Sequence, residues 1–297
     1  MIRVNKRTSE LQQVTLSRYV EQAEQVKFIK DRSVWKKFQE DTPEFLMKML
    51  EQDIKYGKTS KLTKKKEDAD ALKDVLFKYY LEVKNIFLYI ASNSSYPTIG
   101  FNDFTAFVNT SKIMDKNVNL SRVDQQFIAT NVSVNPYKQS AERDLHRYEF
   151  FEVIVRLGIS KYKDPKIAPN LHEAAEMIFK NDVIGKNKSV DGFNFREKYM
   201  YNLKCDEILK KNESVIKILF ESYLNPNKKY VTLEECRKLL KKADLNVSDF
   251  RVAPCYAESM MSRIDTMSDM SVLQQMKYIE FLVFICRVSH EVYIGTK

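Results

Sequence analysis

Two stretches of the chain repeat one helix start: HRYEFFEVIVRL at residues 146–157 and KYIEFLVFICRV at residues 277–288. Glu149 and Phe150 match Glu280 and Phe281, and in both stretches an Arg follows seven residues after the Glu. The two Glu residues lie 280 − 149 = 131 residues apart. Because apolar residues follow at helical spacing, we expect each Phe to open a helix and to lie in a hydrophobic core.

A polar segment with one aliphatic residue precedes each repeated helix start, and the same layout occurs twice more. Frames of twelve residues with the aliphatic residue at position 8 give loops at 92–103, 138–149 and 224–235, and a fourth loop ends at Glu280. The loop ends are separated by 149 − 103 = 46 and 280 − 235 = 45 residues. These separations indicate two similar units, each a pair of helix–loop–helix elements. The alternative is a helical bundle in which the Glu-Phe match is accidental.

Three aliphatic residues occupy position 8 of these frames: Ile99, Leu145 and Val231. We expect the position 8 residues to join the two loops of each unit through a short strand.

Helices are expected in most of the remaining chain, because Gly and Pro are scarce, at 6 and 7 residues. Thr42-Pro43-Glu44 predicts a helix start, with Thr as N-cap and Pro in the first turn, and this helix should reach about Tyr56. Residues 57–68, GKTSKLTKKKED, are interpreted as a solvated basic linker. A long amphipathic helix should follow, and an N-terminal arm should hold a helix from Glu10 to Lys30.

The chain resembles degenerate members of the EF-hand superfamily over residues 70 to 290. YEFFEVIVRLGISKY and CYAESMM followed by YIEFLVFICRV are similar to calmodulin-like domains of ciliary and flagellar axonemal proteins of protists. The resemblance implies an all-α fold with two lobes of paired degenerate EF-hand units and an N-terminal helical arm. The expected domains are an arm and linker at 1–68, a first pair at 69–168, a connecting helical segment at 169–212 and a second pair at 213–297.

The loops depart from the family where Ca²⁺ would bind. An EF-hand loop needs oxygen ligands at positions 1, 3, 5 and 12 and a Gly at position 6. The first loop has Tyr96 and Pro97 at positions 5 and 6, the second begins with Lys138, and the third has Lys228 and Lys229 at positions 5 and 6. No calcium site and no cofactor are therefore expected in these loops.

The fourth loop keeps three acids, Asp265, Asp269 and Glu280, as weak candidate metal ligands. Its entering helix, CYAESMMSRI, is expected to end at Asp265, which makes the loop too long, and the loop has no Gly. Glu149 and Glu280 are expected to cap their exit helices instead of binding metal.

The charge balance favours acidic partners. Lys and Arg number 49 against 40 Asp and Glu, which gives a net charge of +9. A lysine-rich surface without a specific partner is the alternative. No nucleic-acid-binding motif is present. The scattered cysteines indicate reduced thiols, and no apolar run is long enough for a membrane span, so we expect a cytoplasmic protein.

No catalytic motif is complete. The sequence around Gly57 resembles the end of a phosphate-binding loop, but Gln52 stands where that loop needs its first Gly. LHEAAE, residues 171–176, has Glu176 where a zinc protease has its second His. The three His residues are far apart in sequence. We therefore expect neither an enzyme nor a small-molecule substrate.

These features predict a non-catalytic, calcium-independent structural adaptor. The resemblance implies tubulin and other axonemal proteins as partners, and a place on or inside ciliary doublet microtubules. A groove of one lobe or the segment around Trp35, the only Trp, would anchor the partner through apolar contacts. The alternatives are a Ca²⁺-regulated EF-hand sensor and a regulatory subunit of a phosphatase or kinase.

Overall fold

A computed structural model describes residues 27–63, 65–132, 143–187, 192–224 and 228–294. These ranges are all-α, as predicted, and contain no strand beyond isolated β-bridges. The helices are α1 (Pro43–Tyr56), α2 (Lys66–Ser92), α3 (Phe101–Thr110), α4 (Leu120–Asn131), α5 (Arg147–Gly158), α6 (Leu171–Met177), α7 (Gly192–Phe195), α8 (Leu203–Lys211), α9 (Glu213–Ser222), α10 (Leu233–Lys242), α11 (Asp249–Ala257) and α12 (Tyr278–Tyr293). No helix of the described ranges combines the length and the apolar character that crossing a membrane requires.

The start of α1 is the one predicted. Pro43 is its first residue, and the Thr42 hydroxyl accepts a hydrogen bond from the Phe45 N–H at 3.3 Å. Most of the expected arm helix lies outside the described residues. Its described end is not α-helical: Lys30–Arg32 form one 3₁₀ turn, and Ile29 before it is extended. The Lys30 ammonium instead reaches the Glu40 carboxylate at 2.9 Å, which fixes this end ahead of α1.

The interpretation of residues 57–68 as a solvated linker was wrong for their first part. The Lys58 backbone N–H donates to Glu152 Oε2 at 2.6 Å, and Glu152 is a buried residue of α5. The Lys58 ammonium donates to the carbonyls of Ala129 and Val132 at the end of α4. Thr59 is buried beside them. A buried carboxylate needs donors, and this segment supplies one, so it is packed against the fold.

Two antiparallel β-bridges connect the predicted loops in pairs. Ile99 and Leu145 exchange N–H···O bonds of 3.0 and 2.8 Å, which confirms the expected pairing. Val231 pairs in the same way with Met276, through two bonds of 3.0 Å. Met276 stands 280 − 276 = 4 residues before Glu280, as Leu145 stands 149 − 145 = 4 before Glu149. The extra residues of the fourth loop therefore lie before its bridge residue.

Three clusters of buried apolar side chains hold the helices together. The first cluster contains residues of α1 to α6, and the second contains residues of α9 to α12. The third contains Trp35, Phe38, Phe195, Met200, Leu209, Leu282 and Val283. The predicted connecting segment 169–212 is divided between clusters, because α6 packs in the first and α8 in the third. The predicted boundary between residues 168 and 169 therefore falls where the chain continues within one cluster.

Trp35 is not available as an external anchor. Its side chain is 0 % exposed, and its ring lies 6.2 Å from that of Tyr201. The predicted anchoring by the segment around Trp35 cannot use the indole, because burial in the third cluster already uses its apolar surface.

Candidate functional site

The three acids of the fourth loop do not converge on one point. Asp265 Oδ1 accepts the N–H groups of Met267 and Ser268, at 2.9 and 3.1 Å. Asp269 Oδ1 accepts the N–H of Ser271 at 3.0 Å. Each carboxylate therefore stabilises a local turn of its own.

The carboxylate of Glu280 accepts hydrogen bonds from two separate backbone N–H groups. One oxygen accepts the Lys277 N–H and the other accepts the Met261 N–H, both at 2.8 Å. Burial raises its pKa above the ordinary value, and the two backbone hydrogen bonds only partly offset that effect. Within the described ranges, no group of three or more His, Cys, Asp and Glu is arranged to hold a metal ion.

The closing Glu residues of three loops cap helices. Glu149 accepts the His146 N–H at 2.9 Å, and Glu235 accepts the Thr232 N–H at 2.7 Å. Together with the bond from Lys277 to Glu280, this confirms the capping predicted for Glu149 and Glu280. In the first loop, Ser94 contacts the closing acid, Asp103. Its hydroxyl donates to Asp103 at 2.5 Å and accepts the Gly100 N–H at 3.0 Å.

The entering helix of the fourth loop ends earlier than predicted. The helix α11 stops at Ala257, not at Asp265, so the expected end was wrong. Arg147, at the start of α5, donates to the carbonyls of Arg263 and Ile264 at 3.0 and 3.1 Å. The Met261 N–H donates to Glu280 Oε1 and not to the Ala257 carbonyl, so the helical bonds do not continue past the end of α11. Contacts with other parts of the fold therefore hold the segment that follows α11.

A groove lies between α2 and the segment that follows α11. It consists of two adjoining cavities, one of about 380 Å³, that share Lys84, Leu88, Met260, Met261 and Ser262. We call this the methionine groove; its wall also contains Met49 and Met270. Methionine side chains are flexible and polarisable, and they adapt to partners of different shape. The groove can therefore accept an apolar side chain of a partner.

Buried ion pairs line the methionine groove. The Lys84 ammonium lies 2.5 Å from Asp41 Oδ2 and 3.0 Å from the Ser262 hydroxyl. Burial alone would raise the pKa of Asp41, but the Lys84 charge and hydrogen bonds from Lys84 and Ser262 outweigh burial and lower it. Asp41 therefore stays ionised in the folded protein at neutral pH.

A second pair joins Arg196 to Glu40 at 2.5 Å, and the Tyr201 hydroxyl also donates to Glu40. In the third pair, between Arg287 and Glu258, the pKa of the carboxylate shifts in the opposite direction. Arg287 lies 2.6 Å from Glu258, yet burial raises the pKa of Glu258 and the Arg287 charge offsets that only in part. Arg287 also stacks over the Phe195 ring at 4.4 Å. The acidic side chains described in the wall of the groove are thus each paired with a Lys or an Arg.

The sequence contains one signal for these groove residues. Lys84 stands four residues after Tyr80 and three before Phe87, so it lies on the apolar face of α2. A Lys on a buried face needs a partner. Which carboxylate would supply it could not be read from the sequence.

The pair of Asp41 and Lys84 predicts a loss of stability on acidification. The pKa of Asp41 is lower in the folded than in the unfolded chain, so its contribution is present above the unfolded pKa and is lost as pH falls through the folded pKa. We expect the free energy of unfolding to fall below about pH 4. Urea denaturation from neutral to acidic pH should show a shallower decline for Asp41→Asn than for the wild type.

Asp124→Asn is the matched control, because Asp124 is an exposed residue of α4. Its pH curve should follow the wild-type curve. Glu258 and Glu280 act in the opposite direction, since their raised pKa values weaken the fold as pH rises. The difference between the Asp41→Asn and wild-type curves removes this common background. Parallel curves would contradict the prediction.

No protein-family model, curated protein or solved structure matches the chain. Relationship and function must therefore be argued from its residues and contacts.

Proposed function

We propose that the chain is a non-catalytic structural adaptor that holds its partner without calcium, built from two pairs of degenerate EF-hand units. The observation that carries the proposal is the use of the acids in the fourth loop, which keeps more candidate ligands than its counterparts. Asp265, Asp269 and Glu280 each accept backbone N–H groups at separate places. A sensor needs such carboxylates to be turned toward one ion.

The spacing between the bridge residues and the closing acids supports a relationship of the chain to the EF-hand superfamily. In each of the four loops, a bridge residue precedes the closing acid by four residues, as in 103 − 99 and 235 − 231. The two bridges join loop one to loop two and loop three to loop four. A bundle with an accidental Glu-Phe match has no reason to place its isolated bridges in this register.

The residue types in the third loop support binding of the partner at any calcium level. Lys228 stands at a ligand position of the third loop and Lys229 at its Gly position, and the Lys228 ammonium lies 5.4 Å from the centre of the Tyr230 ring. Cations at these positions repel Ca²⁺. An adaptor of this design keeps its shape at any calcium level.

The methionine groove is the proposed seat for an apolar side chain of a partner helix. The net charge of +9 favours an acidic assembly. Together with the resemblance to axonemal proteins, this supports a component of ciliary doublet microtubules that contacts tubulin. A regulatory subunit of a phosphatase or kinase is the second candidate, and it would co-purify with a catalytic subunit instead.

Co-sedimentation with axonemal microtubules tests the proposal. We expect equal amounts of the protein in the pellet with Ca²⁺ and with chelator, because the closing acids of the four loops are bonded to N–H and hydroxyl groups of the chain. Calorimetric Ca²⁺ titration should give no binding heat from micromolar to millimolar levels, with a calcium-binding EF-hand protein as the positive control. Release on chelation, or heat that Glu280→Gln abolishes, would support the sensor. No pelleting in either buffer would refute the microtubule assignment.

A further inference from the structure

Another cavity shares no lining residue with the methionine groove. It has a volume of about 370 Å³ and lies between residues 31–37, α8 and the start of α12. Two bonds hold its rim in place. The Val34 N–H donates to Asp206 Oδ1, and the Lys210 ammonium donates to the Arg32 carbonyl, both at 2.9 Å. The rim is therefore fixed to α8.

The rim is basic. Arg32, Lys36 and Lys37 are exposed, and none of them has an ion-pair partner among the described residues. Two acids also line the cavity, Asp31 and Glu213. Glu213 is already paired with Lys217 at 2.7 Å. Three cations are thus free to meet negative charge, and Asp31 alone opposes them.

The floor is apolar with one polar exception. Leu209 and Leu282 are buried there, beside Ile279. Tyr278 also lines the cavity, but its hydroxyl is buried and has no hydrogen-bond partner among the described residues. The cavity therefore offers cations at its rim and an apolar surface at its floor.

We propose that this basic pocket binds an acidic peptide segment of the partner, with carboxylates at Arg32, Lys36 and Lys37 and an apolar side chain on the floor. The acidic character of the partner rests on the proposed function. Recognition of acidic motifs by clustered cations is a known mode of peptide binding. The N-terminal residues 1–26 are a poor occupant, because they contain four basic and three acidic residues. The Trp35 segment thus serves the partner through its flanking cations and not through its indole.

Fluorescence anisotropy with the full chain tests the pocket. The probe is a fluorescein-labelled Glu-rich peptide that contains one Phe, compared with a peptide that has Gln in place of Glu. We expect the Glu peptide to bind and the double variant Lys36→Glu/Lys37→Glu to bind it at least about tenfold more weakly.

Lys241→Glu/Lys242→Glu is the matched control, because it reverses two adjacent exposed charges at the end of α10. Its affinity should stay within about twofold of the wild type. Equal losses of peptide affinity in the two double variants would show that the overall positive charge of the protein attracts the peptide. That result would overturn the proposal. Equal binding of the Gln peptide, or no binding of the Glu peptide, would do the same.

The pocket and the adaptor function fail in different ways. If the Lys36→Glu/Lys37→Glu variant co-sediments like the wild type, the pocket is not the partner's site, and the adaptor proposal stands. If the wild type binds the Glu peptide but does not co-sediment, the pocket stands and the microtubule assignment fails. Anionic lipid vesicles that displace the Glu peptide and bind more tightly would overturn the choice of a peptide.

Discussion

Replacement of Arg147 by Ala is expected to lower the free energy of unfolding by about 3–5 kcal/mol. The guanidinium is buried and forms two bonds of 2.8 Å to the Asp53 carboxylate, which also accepts the Tyr80 hydroxyl. It also holds the carbonyls of Arg263 and Ile264. Its removal leaves Asp53 buried without its counter-charge, and this penalty dominates the expected loss.

Urea denaturation followed by circular dichroism measures the effect at neutral pH. Arg122→Ala is the control, because Arg122 is exposed on α4, and it should change stability by less than about 0.5 kcal/mol. Arg147→Lys should fall between the two, since an ammonium cannot form the paired bonds of a guanidinium. A loss for Arg147→Ala no larger than that of Arg122→Ala would show that the contact does not support the fold.

The features that could be predicted are those specified by neighbouring residues. The start of α1 follows from a capping Thr and a Pro in the first turn. The bridge between Ile99 and Leu145 follows from a loop frame counted in residues. Capping by Glu149 and Glu280 needs only a carboxylate three residues into a helix.

The features that could not be predicted depend on contacts across the fold. The segment after the early end of α11 is held by Arg147, which lies 263 − 147 = 116 residues before Arg263 in the chain. The packed part of residues 57–68 depends on Glu152, because a basic polar segment contains no sign that a buried carboxylate faces it. Trp35 is similar: its burial comes from Phe195, Leu209 and α12 together, all distant in sequence.

In the candidate sites too, some features are specified by neighbouring residues and others depend on contacts across the fold. Residue types unsuited to Ca²⁺ in the first three loops, such as Tyr96 and Lys228 at position 5, could be read directly from the sequence. The methionine groove and the basic pocket could not, because each is formed by segments more than a hundred residues apart. Lys84 gave a partial signal through its place on an apolar helix face.

Phe150→Ala and Phe281→Ala are each expected to lower the free energy of unfolding by about 3–5 kcal/mol. Both side chains are 0 % exposed, which confirms that they are core residues. The Phe150 ring lies 5.3 Å from that of Phe107, and the Phe281 ring lies 5.2 Å from that of Phe220. Each truncation opens a cavity within an aromatic cluster, so the cost of the void adds to the lost burial.

Phe250→Ala is the control, because Phe250 is 62 % exposed. Urea denaturation of the three variants should show a small loss in the free energy of unfolding for Phe250→Ala and large losses for the other two. Trp35 fluorescence adds a local readout, since its cluster contains Leu282 and Val283 of α12, the helix that also contains Phe281. The comparison also bears on the repeat. If Phe150→Ala is costly and Phe281→Ala resembles the control, the two Phe residues do not hold equivalent places. The register that pairs Glu149 with Glu280 would then be wrong, and the proposal of two similar units would fail with it.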